Sequence, residues 1–126
     1  MLSHNLDFQK YENLQKKIKN FQEYLVDFQE NNQNIELAFI SLKNIIEHDI
    51  LNLDQENIEV IIVSQWQSIQ TEIYRTYRLL KTDILFLKSA KKANLIKKRL
   101  HNIKERLTQL NSYCNSILSL KKIIEN

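Results

Sequence analysis

The chain has no glycine and no proline in 126 residues. These are the residues that most readily make tight turns, bulges and corners with positive φ. Sheet folds need many such corners, so the sequence argues against all-β and βαβ architectures and for helices joined by short polar connections. The same absence removes several functional signatures. No glycine loop can cradle phosphate, no GxGxxG turn can take a dinucleotide, and no Gly-x-Ser-x-Gly elbow or glycine-bent calcium loop can form. The length fits one domain, residues 1–126, since two independent cores would be hard to build from it.

Helical spacing runs through nearly the whole chain. Tyr11, Leu14, Ile18, Phe21, Leu25 and Phe28 advance in steps of three and four, predicting a first helix capped near Ser3 or Asn5. The Asn-rich stretch Glu30–Asn34 ends it, asparagine being the non-glycine residue best suited to a left-handed helix end. A shorter second helix follows Asn34 as N-cap, with Glu36 in its first turn and a stripe of Ile35, Phe39, Leu42, Ile46, Ile50 and Leu53. A break is expected at Asn52–Asn57, with Asp54 as the next cap. The third helix is predicted over Gln55–Lys88, about 50 Å at 1.5 Å per residue. Its stripe is Ile58, Ile62, Trp66, Ile69, Ile73, Tyr77, Leu80, Ile84 and Leu87. A turn within Ser89–Asn94 leads to a fourth helix on Ile96, Leu100, Ile103, Leu107, Leu110, Cys114 and Ile117, fraying over Lys121–Asn126. The expected fold is all-α: an antiparallel bundle of four helices, one short, with a long hairpin of helices three and four. Ile18, Phe21, Leu42, Trp66, Ile73, Leu80, Leu107 and Leu110 are the expected core.

Few residues invite a chemical reading. His101-Asn102-Ile103-Lys104 resembles the start of the His-x-x-Lys-Gly pattern of histidine phosphotransfer bundles. His101 falls roughly 160° from the Ile103 stripe, which exposes it. Those bundles need a small residue next, however, and Glu105 stands there; a solvated surface histidine is the plainer reading. Glu47, His48 and Asp49 are adjacent, so on a helix they point about 100° apart and do not close on one ion. No Glu-x-x-His pair of the di-iron type is present. No catalytic residue, metal or cofactor is therefore assigned. Cys114 lies on the apolar stripe and reads as a core residue. A single cysteine allows no internal disulfide, which fits a reducing cytoplasm. The first ten residues lack a basic start followed by an apolar run, and no apolar run approaches a membrane span, so neither a secretory signal nor a membrane segment is expected.

Two surface features remain. The net charge is only +3, but it is unevenly spread. Lys88, Lys91, Lys92, Lys97, Lys98, Arg99, Lys104 and Arg106 fall within Lys88–Arg106 beside one acid, Glu105. Glu23–Glu59 carries nine acids and one base, Lys43. Solvated helix faces are the plain explanation; a docking end for an acidic partner, using Lys91, Lys92, Lys97 and Lys98, is the functional one. Nucleic acid is the weaker partner, since the acidic half repels phosphate and no aromatics interleave the lysines. The second feature is an off-stripe line on helix three, Val60, Val63, Tyr74 and Leu85, the last three spaced by eleven. It predicts either contact with a neighbouring helix or self-association as a homodimer through Val63, Tyr74 and Leu85.

The run Arg78–Ala90, with Arg99-Leu100, Arg106-Leu107-Thr108 and Tyr113–Leu118, resembles the heterocyst frequency control protein PatD family of cyanobacteria. The likeness covers roughly residues 65 to 118. It implies a small, non-catalytic cytoplasmic regulator of cell differentiation that acts on assembly of the tubulin-like division protein FtsZ. It transfers no catalytic residues. A histidine-phosphotransfer-like bundle or another helical adaptor is the alternative.

Overall fold

Asp7 starts the first helix: its carboxylate accepts the Gln9 backbone N–H at 3.1 Å. A computed structural model describes residues 6–28 and 35–125. The expected caps Ser3, Asn5 and Asn34, and the Asn-rich end after Glu30, lie outside those residues. The helix α1 (Phe8–Val26) therefore begins later than Ser3 or Asn5 would have set it, and it buries Tyr11, Leu14, Ile18, Phe21 and Leu25. Phe28 packs on the core just beyond its end.

The second helix, α2 (Ile35–Ile45), continues into a wider π-helical turn, Ile46–Ile50. There the Leu51 N–H reaches back five residues to the Ile46 carbonyl at 2.8 Å. The wide turn suits the sequence, because Leu42, Ile46 and Ile50 are spaced by four and all three are buried.

The predicted start of the third helix needs correction. Asp54 does cap, accepting the Glu56 N–H at 3.2 Å, but it caps a single 3₁₀ turn, Gln55–Asn57. Ile58 is extended and Glu59 is not helical, a second 3₁₀ turn covers Val60–Ile62, and α3 (Val63–Ser89) begins only after it. Five of the six residues 58–63 are β-branched, which lowers helix propensity. Ile58 and Ile62 are buried nonetheless, each carried inward by its own turn. Helical spacing was kept while helical backbone was not.

The turn to α4 (Ala93–Ser119) uses Ala90 and Lys92 in extended conformation, within the expected Ser89–Asn94 window. No described residue has positive φ, so the chain turns corners without glycine by never needing that region. Fraying after α4 is also corrected. Leu120 is buried at a turn, and α5 (Lys121–Glu125) lies against Val60–Ile62 with Ile124 packed on the core.

The result is an all-α bundle in which α3 and α4 are long, closely packed and antiparallel. Tyr11 early in α1 meets Trp66 early in α3, and Phe21 late in α1 meets Phe39, which meets Tyr77 further along α3. Helix α1 therefore runs with α3 and antiparallel to α4, where Gln15 meets Asn115 at 2.7 Å. Phe21 meets Phe39 with ring centroids 5.6 Å apart, joining α1 to α2. All eight residues expected in the core are buried, and Cys114 is buried with them. Among the described residues there is no strand, and no helix is long and apolar enough to cross a membrane.

Candidate functional site

The α3–α4 turn forms one end of the molecule's longest hairpin. Lys91 and Lys92 occupy the turn itself, and Lys97 and Lys98 follow on α4. All four are exposed, and none joins an ion pair among the described residues. Helix geometry adds to their charge. Lys92 offers no side-chain cap, and the first turn of α4 holds no acid, so nothing there offsets the positive end of the helix dipole.

The rest of the basic run behaves differently. Asp83, on α3, is buried at 4% exposure. Its Oδ1 accepts from Arg99 Nη1 at 3.2 Å and its Oδ2 from Arg106 Nε at 3.3 Å. Arg99 also lies 4.5 Å over the Phe86 ring. Both arginines therefore serve the α3–α4 contact instead of the outer surface. Lys88 pairs with Glu36 at the start of α2. The basic patch expected from Lys88 to Arg106 thus narrows to Lys91, Lys92, Lys97 and Lys98, with Lys104 exposed further along α4.

A sequence signal for the clamp exists. Ile73, Thr76, Leu80, Asp83 and Leu87 advance by three, four, three and four, and all are buried. Asp83 therefore sits on the inward face of α3, where a carboxylate needs cationic partners. Arg99 and Arg106, seven apart, share one face of α4.

The off-stripe line of helix three does not survive as one surface. Val63, the first residue of α3, is half-buried and packs against the core. That is the packing contact expected as the alternative to self-association, and part of the side chain stays exposed. Val60 is exposed but belongs to the preceding 3₁₀ turn. Tyr74, 48% exposed, and Leu85, 61% exposed, remain on the surface of α3, with Leu79 and Phe86 also exposed. Tyr74 borders a concavity with Leu51, Leu53 and Trp66, whereas Leu85 borders another with Phe39 and Ile40.

The side chains weighed for chemistry have structural surroundings. His101 is exposed, with Nε2 3.5 Å from Glu105 on the next turn. Glu47 accepts a hydrogen bond from the Tyr77 hydroxyl and lies 3.8 Å from Lys81. The Tyr77 bond, more than the neighbouring lysines, holds the Glu47 carboxyl below its usual range, while burial pushes Tyr77 up. No group of three or more His, Cys, Asp or Glu side chains converges among the described residues. Burial pushes the Cys114 thiol up to about 12, so it stays protonated and unreactive at neutral pH.

One buried polar chain was not legible from spacing. Trp66 Nε1 donates to the Tyr11 hydroxyl at 3.0 Å, and that hydroxyl donates to Gln70 Oε1 at 2.9 Å. Gln70 Nε2 then donates to the Ile50 carbonyl at 2.6 Å, at the end of the π turn. Each of these side chains finds a partner inside the bundle, and the chain ties α1, α3 and the end of α2 together.

Comparison with known proteins finds no matching family model, no matching curated protein and no matching solved structure.

Proposed function

We propose that this chain is a non-catalytic cytoplasmic regulator of cell differentiation or division that works by protein–protein interaction on assembly of an FtsZ-type division protein. The observation that carries the binding surface is the set Lys91, Lys92, Lys97 and Lys98, exposed and without ion-pair partners at the tip of the α3–α4 hairpin. Buried Asp83 holds Arg99 and Arg106, and Lys88 has a carboxylate partner in Glu36, so the tip lysines are the positive groups of this run that stand unpaired among the described residues. The partner class comes from the resemblance of residues 65 to 118 to the PatD family, and FtsZ-type proteins are acidic overall. Opposite charge mainly speeds encounter and fixes orientation.

The test is co-sedimentation with assembled FtsZ-type protein, comparing the unaltered chain with Lys91→Glu/Lys98→Glu. Both positions are exposed, so the variant should keep its helical circular dichroism and lose most of the pelleted fraction. Equal pelleting by the two proteins would move the contact away from the tip. No pelleting by the unaltered chain would remove the FtsZ reading. Phosphorylation that disappears in His101→Ala would favour the phosphotransfer alternative instead.

A further inference from the structure

The bundle is closed unequally. Backbones of α1 and α2, α1 and α4, and α3 and α4 pack closely, whereas those of α2 and α3 do not. Side chains span that antiparallel seam. Phe39 and Tyr77 approach at 6.3 Å between ring centroids, Tyr77 donates to Glu47, and Lys88 pairs with Glu36. Between these bridges lies a groove of about 410 Å³. Its floor is the buried pair Phe39 and Ile84, and its banks are the exposed Ile40 and Leu85. Lys43, Lys81 and Lys88 rim it with Glu36, and Glu47 stands beside the rim, 3.8 Å from Lys81.

We propose that this groove docks a short amphipathic helix with acidic flanks, supplied by a partner protein. The chemistry of the rim selects the occupant. Three lysines face two acids, Glu36 and Glu47, which pair with Lys88 and Lys81, and Lys43 has no ion pair among the described residues. The pairs made by Lys81 and Lys88 are solvent-exposed. Such pairs hold little free energy, so both ammonium groups can turn to new carboxylates at small cost. An extended peptide has nothing to pair with here, because both banks are helices whose backbone groups are already bonded. A helix laying apolar residues on Phe39, Ile40, Ile84 and Leu85 fits the trough, which runs about 10 Å along α2 from Glu36 to Lys43 at 1.5 Å per residue. A second copy of this chain is the poorer occupant, since a two-fold contact would set the lysine rim against itself. The groove is separate from the tip lysines, and the proposal does not depend on the partner proposed for them.

The probe is a fluorescein-labelled amphipathic peptide of about 14 residues, roughly four turns, with leucines on one face and glutamates beside them. Its twin carries lysines in place of the glutamates. Anisotropy titration should give saturable micromolar binding of the acidic peptide and binding weaker by about tenfold or more for the twin. Amide NMR shifts should map to residues 36–43 and 81–88. Ile40→Ser/Leu85→Ser should weaken binding by about tenfold or more with unchanged circular dichroism. Lys43→Glu, a surface change that leaves the apolar floor intact, should narrow the preference for the acidic peptide. Equal binding of both peptides, shifts confined to residues 91–98, or binding indifferent to Ile40→Ser/Leu85→Ser would overturn the proposal. A dimer in sedimentation that Ile40→Ser/Leu85→Ser dissociates would assign the groove to a second copy and overturn it as well.

Discussion

Replacing Asp83 by alanine should separate the stability of this bundle from its surface charge. The carboxylate is buried and accepts from Arg99 at 3.2 Å and from Arg106 at 3.3 Å. A hydrogen bond involving a charged group contributes about 1.5–3 kcal/mol, which would give about 3–6 kcal/mol for two independent bonds. The real loss should be smaller, because the Arg99 and Arg106 side chains keep 29% and 24% of their surface in solvent and can rehydrate. Arg99 also retains its contact with Phe86. We expect Asp83→Ala to cost about 2–3 kcal/mol and Asp83→Asn, which keeps the shape, about 1–2 kcal/mol. Urea unfolding followed by Trp66 fluorescence and far-ultraviolet circular dichroism measures this, with an unchanged denaturant slope showing that the folded state stays compact. The same substitution removes a negative charge and leaves Arg99, next to Lys98 in sequence, without its carboxylate, so association with an acidic partner at low salt should quicken while stability falls. A loss below about 0.5 kcal/mol, the size of an ordinary surface change, would show that Asp83 does not hold α3 to α4. It would mean that water serves the arginines as well as Asp83 does.

Leu107→Ala, at a fully buried position of α4, should cost about 2–5 kcal/mol in the same assay; a loss under about 0.5 kcal/mol would contradict its place in the core. Cys114 should resist a thiol reagent at pH 8 in the native protein and react at once in urea. Its folded pKa is raised from 9.0 to about 12, so this group's share of stability is intact below the unfolded value and declines as pH rises between the two. Immediate native labelling would show an open core. Glu47 has the opposite sign: its carboxyl is held low, chiefly by Tyr77, so its contribution is present above the unfolded pKa and is lost as pH falls through the lowered folded value. Tyr77→Phe should therefore flatten the dependence of the urea midpoint on pH below about 4.5, and an unchanged acid profile would disprove the coupling.

Much of the fold was legible because the stripe Tyr11–Leu25 and the stripe Ile96–Ile117 keep steps of three and four without interruption, and one buried face explains each. The start of α3 was not legible from spacing. Ile58 and Ile62 fit a helical period and are buried, yet their β-branched neighbourhood follows separate turns. Period reports which side chains go inward and does not by itself report the backbone between them. The π turn escaped for a related reason, since steps of four at Leu42, Ile46 and Ile50 suit an α-helix nearly as well. The tip lysines were readable as a charge run, but charge counting could not show that Asp83 takes Arg99 and Arg106. That needed Asp83 placed on the inward face. For Val63 the spacing left core packing and self-contact open, because it gives an angle around the helix axis and not what lies beside the first residue of α3; the structure packs it partly against the core.

The most direct test of the account is the association rate with assembled FtsZ-type protein across a salt series, for the unaltered chain and for Lys91→Glu/Lys98→Glu. Exposed charges are screened over about 8 Å at physiological ionic strength, so electrostatic steering must show as a rate that falls with salt. If the tip lysines steer docking, the rate falls steeply with salt for the unaltered chain and is slower and flatter for the variant. Identical rates and identical salt slopes for the two proteins would contradict it.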